Sequence, residues 1–294
     1  MGQSIGREER MLYHTSRFSC FEKNMFLALG LSISLSGGVQ SAEEEDGIAN
    51  YAYSVFSGTG RYKIDDRTIV AIRAPLVWDL VEADYETGKL GYRFLFPVTI
   101  GVTNFKDVDD FPDIDIDSLQ TLGVAPGIEM VIPATPKWQV KPFAQVGYGF
   151  DLQSDSHTVI WGAGMRTRTS LGVDSNWLIG GEFLRAGEHP NRDAPATSFS
   201  RWGIGTEYRL PTDWQPYGHR VSWQARLLQW YFTDAVNFNP PSEKTTVSRS
   251  TEVGISFSVD PPISILGYPF TQGGIGFQLA NGYDAITLFT TFPF

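Results

Sequence analysis

Val140-Lys-Pro-Phe-Ala-Gln-Val-Gly-Tyr-Gly-Phe-Asp151 carries the pattern on which the fold turns. Val140, Pro142, Ala144, Val146, Tyr148 and Phe150 share one parity; Lys141, Gln145, Gly147, Gly149 and Asp151 share the other. A strand sends successive side chains to opposite faces. One face here is apolar and the other small or polar. In a barrel that crosses a membrane, the apolar face meets lipid and the small, polar face meets the lumen.

The alternation recurs on both sides of that stretch. Leu122, Val124, Pro126, Ile128, Met130 and Ile132 alternate with Gly123, Ala125, Gly127 and Glu129. Val159, Trp161, Ala163 and Met165 alternate with Gly162, Gly164, Arg166 and Arg168. Trp202, Ile204, Thr206, Tyr208 and Leu210 alternate with Gly203, Gly205, Glu207 and Arg209. Val221, Trp223, Ala225 and Leu227 alternate with Ser222, Gln224 and Arg226, and Val253, Ile255, Phe257 and Val259 with Gly254, Ser256 and Ser258. Glycine weakens an ordinary strand. Its repeated place on the inner face suits a narrow lumen, where small positions receive large partners.

The pattern predicts twelve strands, at 54–64, 68–82, 89–104, 120–132, 138–151, 157–169, 176–185, 198–210, 219–232, 247–259, 263–279 and 283–294. Pro75, Pro97 and Pro269 fall inside them, and each requires a bulge or a barrel end. An even count returns both termini to one rim. The longest connections, 105–119, 186–197 and 233–246, then share the opposite rim, the usual asymmetry of short periplasmic turns and long surface loops. Trp78, Trp138 and Trp177 fall near short-turn ends and Trp230 near a long-loop end, where interfacial aromatics belong. The expected fold is all-β, a 12-stranded antiparallel transmembrane β-barrel of the outer-membrane type.

Composition narrows the alternatives. Of 294 residues, 42% are hydrophobic, 19% charged and 14% aromatic, with 30 Gly, which is far from a disordered chain. Mean hydropathy is −0.15, and no apolar run reaches the ~18 residues of a membrane helix. One Cys excludes a disulfide scaffold and a Cys-based zinc site. A net charge of −10 argues against a nucleic-acid partner. No motif requires a cofactor or a resident metal.

Arg17 and Lys23 precede the apolar stretch Met25–Leu35, and the small-residue run Ser36–Ala42 follows. This is the layout of a cleaved signal peptide over 1–41, with Val39 and Ser41 before the cut. Met11 is an alternative start that keeps both basic residues, and Cys20 leaves with the segment. Residues 42–53 then form a short N-terminal segment and 54–294 the barrel.

The chain ends Asp284-Ala-Ile-Thr-Leu-Phe-Thr-Thr-Phe-Pro-Phe294. Counting back in twos from Phe294 gives Phe292, Thr290, Leu288 and Ile286, a mostly apolar face. This run resembles the C-terminal signal of bacterial outer-membrane proteins, with Phe292 and Phe294 in its aromatic positions. The resemblance implies that barrel-assembly machinery reads this strand. With the opening Ser54-Val-Phe-Ser-Gly-Thr-Gly-Arg-Tyr62 and the strand layout, residues 50–294 resemble the solitary, passenger-free, autotransporter-like barrels. That implies a bacterial outer-membrane location, with lipid and lipopolysaccharide as surroundings. It carries no catalytic residue to transfer.

Some outer-membrane barrels are hydrolases. The His-x-Ser dyad of the phospholipases is absent: Val159, Asn191 and Val221 stand two places after His157, His189 and His219. Asp155-Ser-His157 matches the Asp-x-His element of omptin-like proteases, and Asp109-Asp110 offers paired acids. Those acids belong to a longer acidic run, and the omptin barrel has ten strands, so the chain reads as no enzyme. The run from Asp107 to Asp117 has the clustered oxygens that Ca²⁺ takes, but not the Gly and distal Glu of an EF-hand. It reads as a solvated loop.

The inner face carries Arg73, Arg93, Lys141, Arg166, Arg168, Arg209 and Arg226 against Glu129, Glu182 and Glu207, with Asp151 near an outer end. Cross-lumen ion pairs would plug the barrel; unpaired charge would line an anion-selective, porin-like pore. Pairing is favoured, because a lone charge in a narrow lumen is costly. The expected role is passive, a pore or a structural element of the outer membrane. The alternative is a surface interaction or adhesion protein that uses the three long loops.

Overall fold

The computed structural model describes residues 55–56, 58–64, 67–103, 121–152, 156–172, 174–191, 196–237, 246–265 and 268–294. The signal-peptide reading, the 42–53 segment, the 107–117 acidic run and Asp155 lie outside the described residues.

The strand segments are β1 (Thr59–Ile64), β2 (Arg67–Val81), β3 (Gly91–Thr103), β4 (Thr121–Val124), β5 (Gly127–Thr135), β6 (Trp138–Asp151), β7 (His157–Leu171), β8 (Trp177–Pro190), β9 (Thr197–Pro211), β10 (Arg220–Asn237), β11 (Thr246–Ile265), β12 (Tyr268–Ala280) and β13 (Tyr283–Phe289). All pairings are antiparallel, and β1 pairs with β13, which closes the sheet. β4 and β5 are one strand interrupted at Ala125 and Pro126, since both pair with β3 and with β6. The protein is therefore a twelve-stranded antiparallel barrel.

Alternation explains the wall. Outward positions are apolar and exposed, among them Val146, Tyr148, Ile204, Ile255 and Phe277. Aromatic pairs lock neighbouring strands on that face, such as Phe183 on Trp202 (4.5 Å) and Trp177 on Tyr208 (4.7 Å). Inward glycines make room for large partners. A Cβ on Gly162 would strike the Phe56 ring, and one on Gly203 the Trp230 ring.

The wall carries a seam. β1 pairs with β2 only over Gly60–Ile64 and Arg67–Ala71. β13 pairs with β12 only over Tyr283–Phe289 and Gly274–Ala280. Past these ladders, toward the short turns, β2 continues to Val81 and β12 begins at Tyr268, with no strand between them among the described residues. Thr59 covers the upper end: its Oγ1 donates to the Arg73 carbonyl (3.0 Å) and accepts from the Arg73 amide (2.9 Å).

The prolines mark these interruptions. Pro75 and Pro97 face each other across β2 and β3 without a bulge. Two prolines can do so only at a non-hydrogen-bonded position, so both ring nitrogens point toward the flanking strands. On that side of Pro75 lies the seam. On that side of Pro97 lies the break at Ala125, whose amide donates to the Pro97 carbonyl (3.3 Å). Pro269 falls on the stretch of β12 that pairs with β11 but has no β13 partner. Of the expected bulge or barrel end, Pro75 and Pro97 show neither and sit beside edges within the wall, whereas Pro269 lies at a strand end beside the register shift between β11 and β12.

Other boundaries differ from the sequence expectation. The first strand starts at Thr59, because Val55 and Phe56 pack inside the barrel. β8 and β10 run on to Pro190 and Asn237, which shortens the 186–197 and 233–246 connections. β11 passes through 260–262 to Ile265, with its register shifted between Ser258 and Ile263. The last strand stops at Phe289, not at Phe294.

Candidate functional site

The interior is the site that this fold builds. Asp79 of β2, Arg93 of β3, Glu129 of β5, Arg166 of β7, Glu182 of β8 and Arg201 of β9 form one chain of ion pairs. Arg93 bonds Asp79 (2.7 Å) and faces Glu129 (3.6 Å). Arg166 bridges Glu129 (3.1 Å) and Glu182 (2.9 Å), and Arg201 bonds Glu182 (2.6 Å). Arg226 pairs separately with Glu252. Rings shield the guanidinium planes: Phe143 under Arg166 (4.0 Å), Trp230 under Arg201 (4.3 Å) and Phe289 under Arg226 (3.1 Å).

A second network, of amides and a hydroxyl anchored on Glu207, completes the tie. Gln272 of β12 donates to Glu207 of β9 (3.0 Å) across the lumen, past the two intervening strands. It also donates to Ser256 (2.9 Å), which donates to Gln224 (3.0 Å). The Gln272–Glu207 bond joins parts of the wall that the ladder does not connect.

Beyond Phe289 the chain leaves the sheet and turns inward. Phe294 is 0% exposed and Phe292 3%. Phe294 lies over Gly180 and Gly205; a Cβ on Gly180 would stand 2.7 Å from its Cβ. Its ring packs on Trp230 (5.4 Å) and edge-on against Phe292 (5.2 Å, 86°). The alternation predicts both phenylalanines on the lipid-facing side, as Leu288 is (55% exposed). Instead they fill a recess floored by glycines of β8 and β9, and Pro293 has no N–H with which to extend the ladder. Trp230, expected at the outer interface, also faces inward, because it has the parity of Arg226 and Leu228.

Of the predicted lumen residues, Arg93, Glu129, Arg166, Glu182 and Arg226 come together in the ion pairs. Lys141 and Arg168 lie among them, lining a cavity of about 600 Å³ beside the C-terminal residues. Glu207 joins through Gln272. Arg209 keeps inward parity but stands near the turn rim, exposed, and outside the ion-pair chain. Arg201 and Glu252 complete the pairs and are absent from the sequence reading. Their parity with Gly203 and Gly254 was the available signal.

His157 stands at the start of β7 with its Nδ1 2.9 Å from the Asn191 side-chain nitrogen, and Asn191 Oδ1 accepts from its amide (3.2 Å). An amide, not a carboxylate, is therefore its bonded partner among the described residues. Among those residues, no group of three or more His, Cys, Asp or Glu is placed to hold a metal.

No family model and no curated protein matches the chain. Among solved structures, it is similar to the β domain of the Bordetella autotransporter BrkA, at 11% identity and a TM-score of 0.45, over 78% of this chain and 91% of that one. It is also similar to the siderophore receptor PirA from Pseudomonas aeruginosa, at 12% identity and a TM-score of 0.33, over 78% of this chain and 39% of that one.

Proposed function

We propose that this chain is an outer-membrane β-barrel, resembling an autotransporter translocator, that serves as a structural element with an occluded lumen. The observation that carries the occlusion is Phe294, wholly buried against Trp230 at the level of Gly180 and Gly205. A side chain that borders a water-filled pore keeps accessible surface. Around it, four of the arginines that would set the selectivity of a pore are held in ion pairs. The apolar exterior supports lipid and lipopolysaccharide as surroundings. Barrel-assembly machinery reads Phe292 and Phe294 before the barrel closes, a timing that their burial supports.

The test is fractionation followed by solute flux. The protein should be found in the outer-membrane fraction with heat-modifiable gel migration. Liposomes that hold it should swell in sugar solution no faster than empty ones. Swelling that scales with the amount of folded protein would overturn the occluded reading.

A further inference from the structure

The 600 Å³ cavity has two properties that wall-building alone does not require. The first is its charge. Seven Arg and Lys side chains line it against three Glu. Those three already bond Arg93, Arg166, Arg201 and Arg226. Lys141 is 6% exposed and makes no ion pair or hydrogen bond among the described residues. Arg73 Nε is buried without a partner. Glu129 attracts Lys141 and Glu182 attracts Arg73, but each of these acids is already shared between two arginines, and Arg166 repels both cations. Buried cations without a counter-anion are costly, and an anion among them would relieve that cost.

The second property is lateral access. Leu76, Gly273 and Leu288 have outward parity, yet they line the same cavity as the inward Arg73 and Phe289. A cavity lined by both faces of a wall passes through it. It passes at the seam, where β2 and β12 have no strand partner on their facing sides among the described residues. Pro75 and Pro269 stand on the two stretches that have a strand partner on one side only. Proline has no N–H to strand in lipid, and it resists further zipping of the wall.

We propose that the seam is a portal from the bilayer and that the cavity binds a phosphate-headed amphiphile. Its headgroup sits among the cations, with Lys141 and Arg73 as the two whose side chains have neither an ion pair nor a hydrogen bond among the described residues. Its alkyl chain leaves over Leu76 and Leu288 into the membrane. The volume falls within the usual range for small-molecule sites. A phosphate brings several acceptor oxygens, which suits a cluster of guanidinium and ammonium donors. The membrane reading supplies the source of the ligand, but the binding test does not depend on it.

Protein refolded in maltoside micelles is titrated calorimetrically with dodecyl phosphate, dodecyl phosphocholine and inorganic phosphate. Dodecyl phosphate should saturate one site, more tightly than the zwitterion. Its affinity should fall by about tenfold or more in Lys141→Gln and in Arg73→Gln, the loss that one charge-assisted contact carries. Lys141→Arg should retain it. Val77→Trp, which narrows the portal from the unpaired edge, should weaken dodecyl phosphate and leave inorganic phosphate unchanged. Inorganic phosphate binding as tightly as dodecyl phosphate would overturn the portal and leave a free-anion site. No saturable binding of dodecyl phosphate, or equal affinity in the Gln variants, would overturn the proposal. Heat-modifiable migration of the same sample reports separately on whether the barrel has formed.

Discussion

Phe294 and Leu288 lie close together in sequence but on opposite sides of the wall. Phe294→Ala would leave a ring-sized void against Trp230, Gly180 and Gly205, at a cost of about 3–5 kcal/mol. Leu288→Ala removes a side chain that faces outward and should cost clearly less. Urea unfolding in vesicles, followed by Trp fluorescence, separates them; equal losses would place Phe294 outside the barrel. Arg166→Gln withdraws the shared partner of Glu129 and Glu182 and should destabilise by about 3 kcal/mol or more in the same assay. Replacing Arg226 and Glu252 together by Met and Leu should leave stability close to the wild type, because neither charge is then orphaned. Most interior residues were legible from parity alone, Arg166 and Glu182 among them. Trp230 was not, because its aromatic character suggested an interface while its parity placed it inside. Phe294 had no local signal at all: the glycines beneath it belong to β8 and β9.

At the scale of elements, the weak part of the wall is the stretch of β2 and β12 beside the seam. Amides there that lack a strand partner should exchange with solvent faster than those in the middle of β6 and β7, which are paired on both sides. Hydrogen exchange by mass spectrometry on peptides covering Leu76–Val81 and Gln145–Phe150 reads this directly. Equal protection would mean that the seam is closed. Strand existence was legible because each strand repeats the same two-residue period against lipid. The ends of β1 and β13 were not, since pairing there stops for reasons set by residues that leave the sheet. Pro75, Pro97 and Pro269 did signal interruptions. They could not reveal whether the answer was a bulge or an unpaired edge.

For the molecule as a whole, closure through β1 and β13 turns an apolar outer face into a belt broken only at the seam and an inner face into a packed interior. Twelve strands leave a lumen that side chains and both described chain ends can fill, as Val55, Phe56, Phe292 and Phe294 do. The belt was readable from composition and period. Occlusion was not, because it depends on which inward residues from distant strands meet, and parity gives only the face. The most direct measurement is ion conductance of the refolded barrel in a planar bilayer, alongside an Arg166→Glu/Arg168→Glu variant. No steady conductance from heat-modifiable wild-type protein is the expected result. A steady wild-type conductance whose selectivity shifts in the variant would contradict an occluded lumen and establish an open, charge-lined pore.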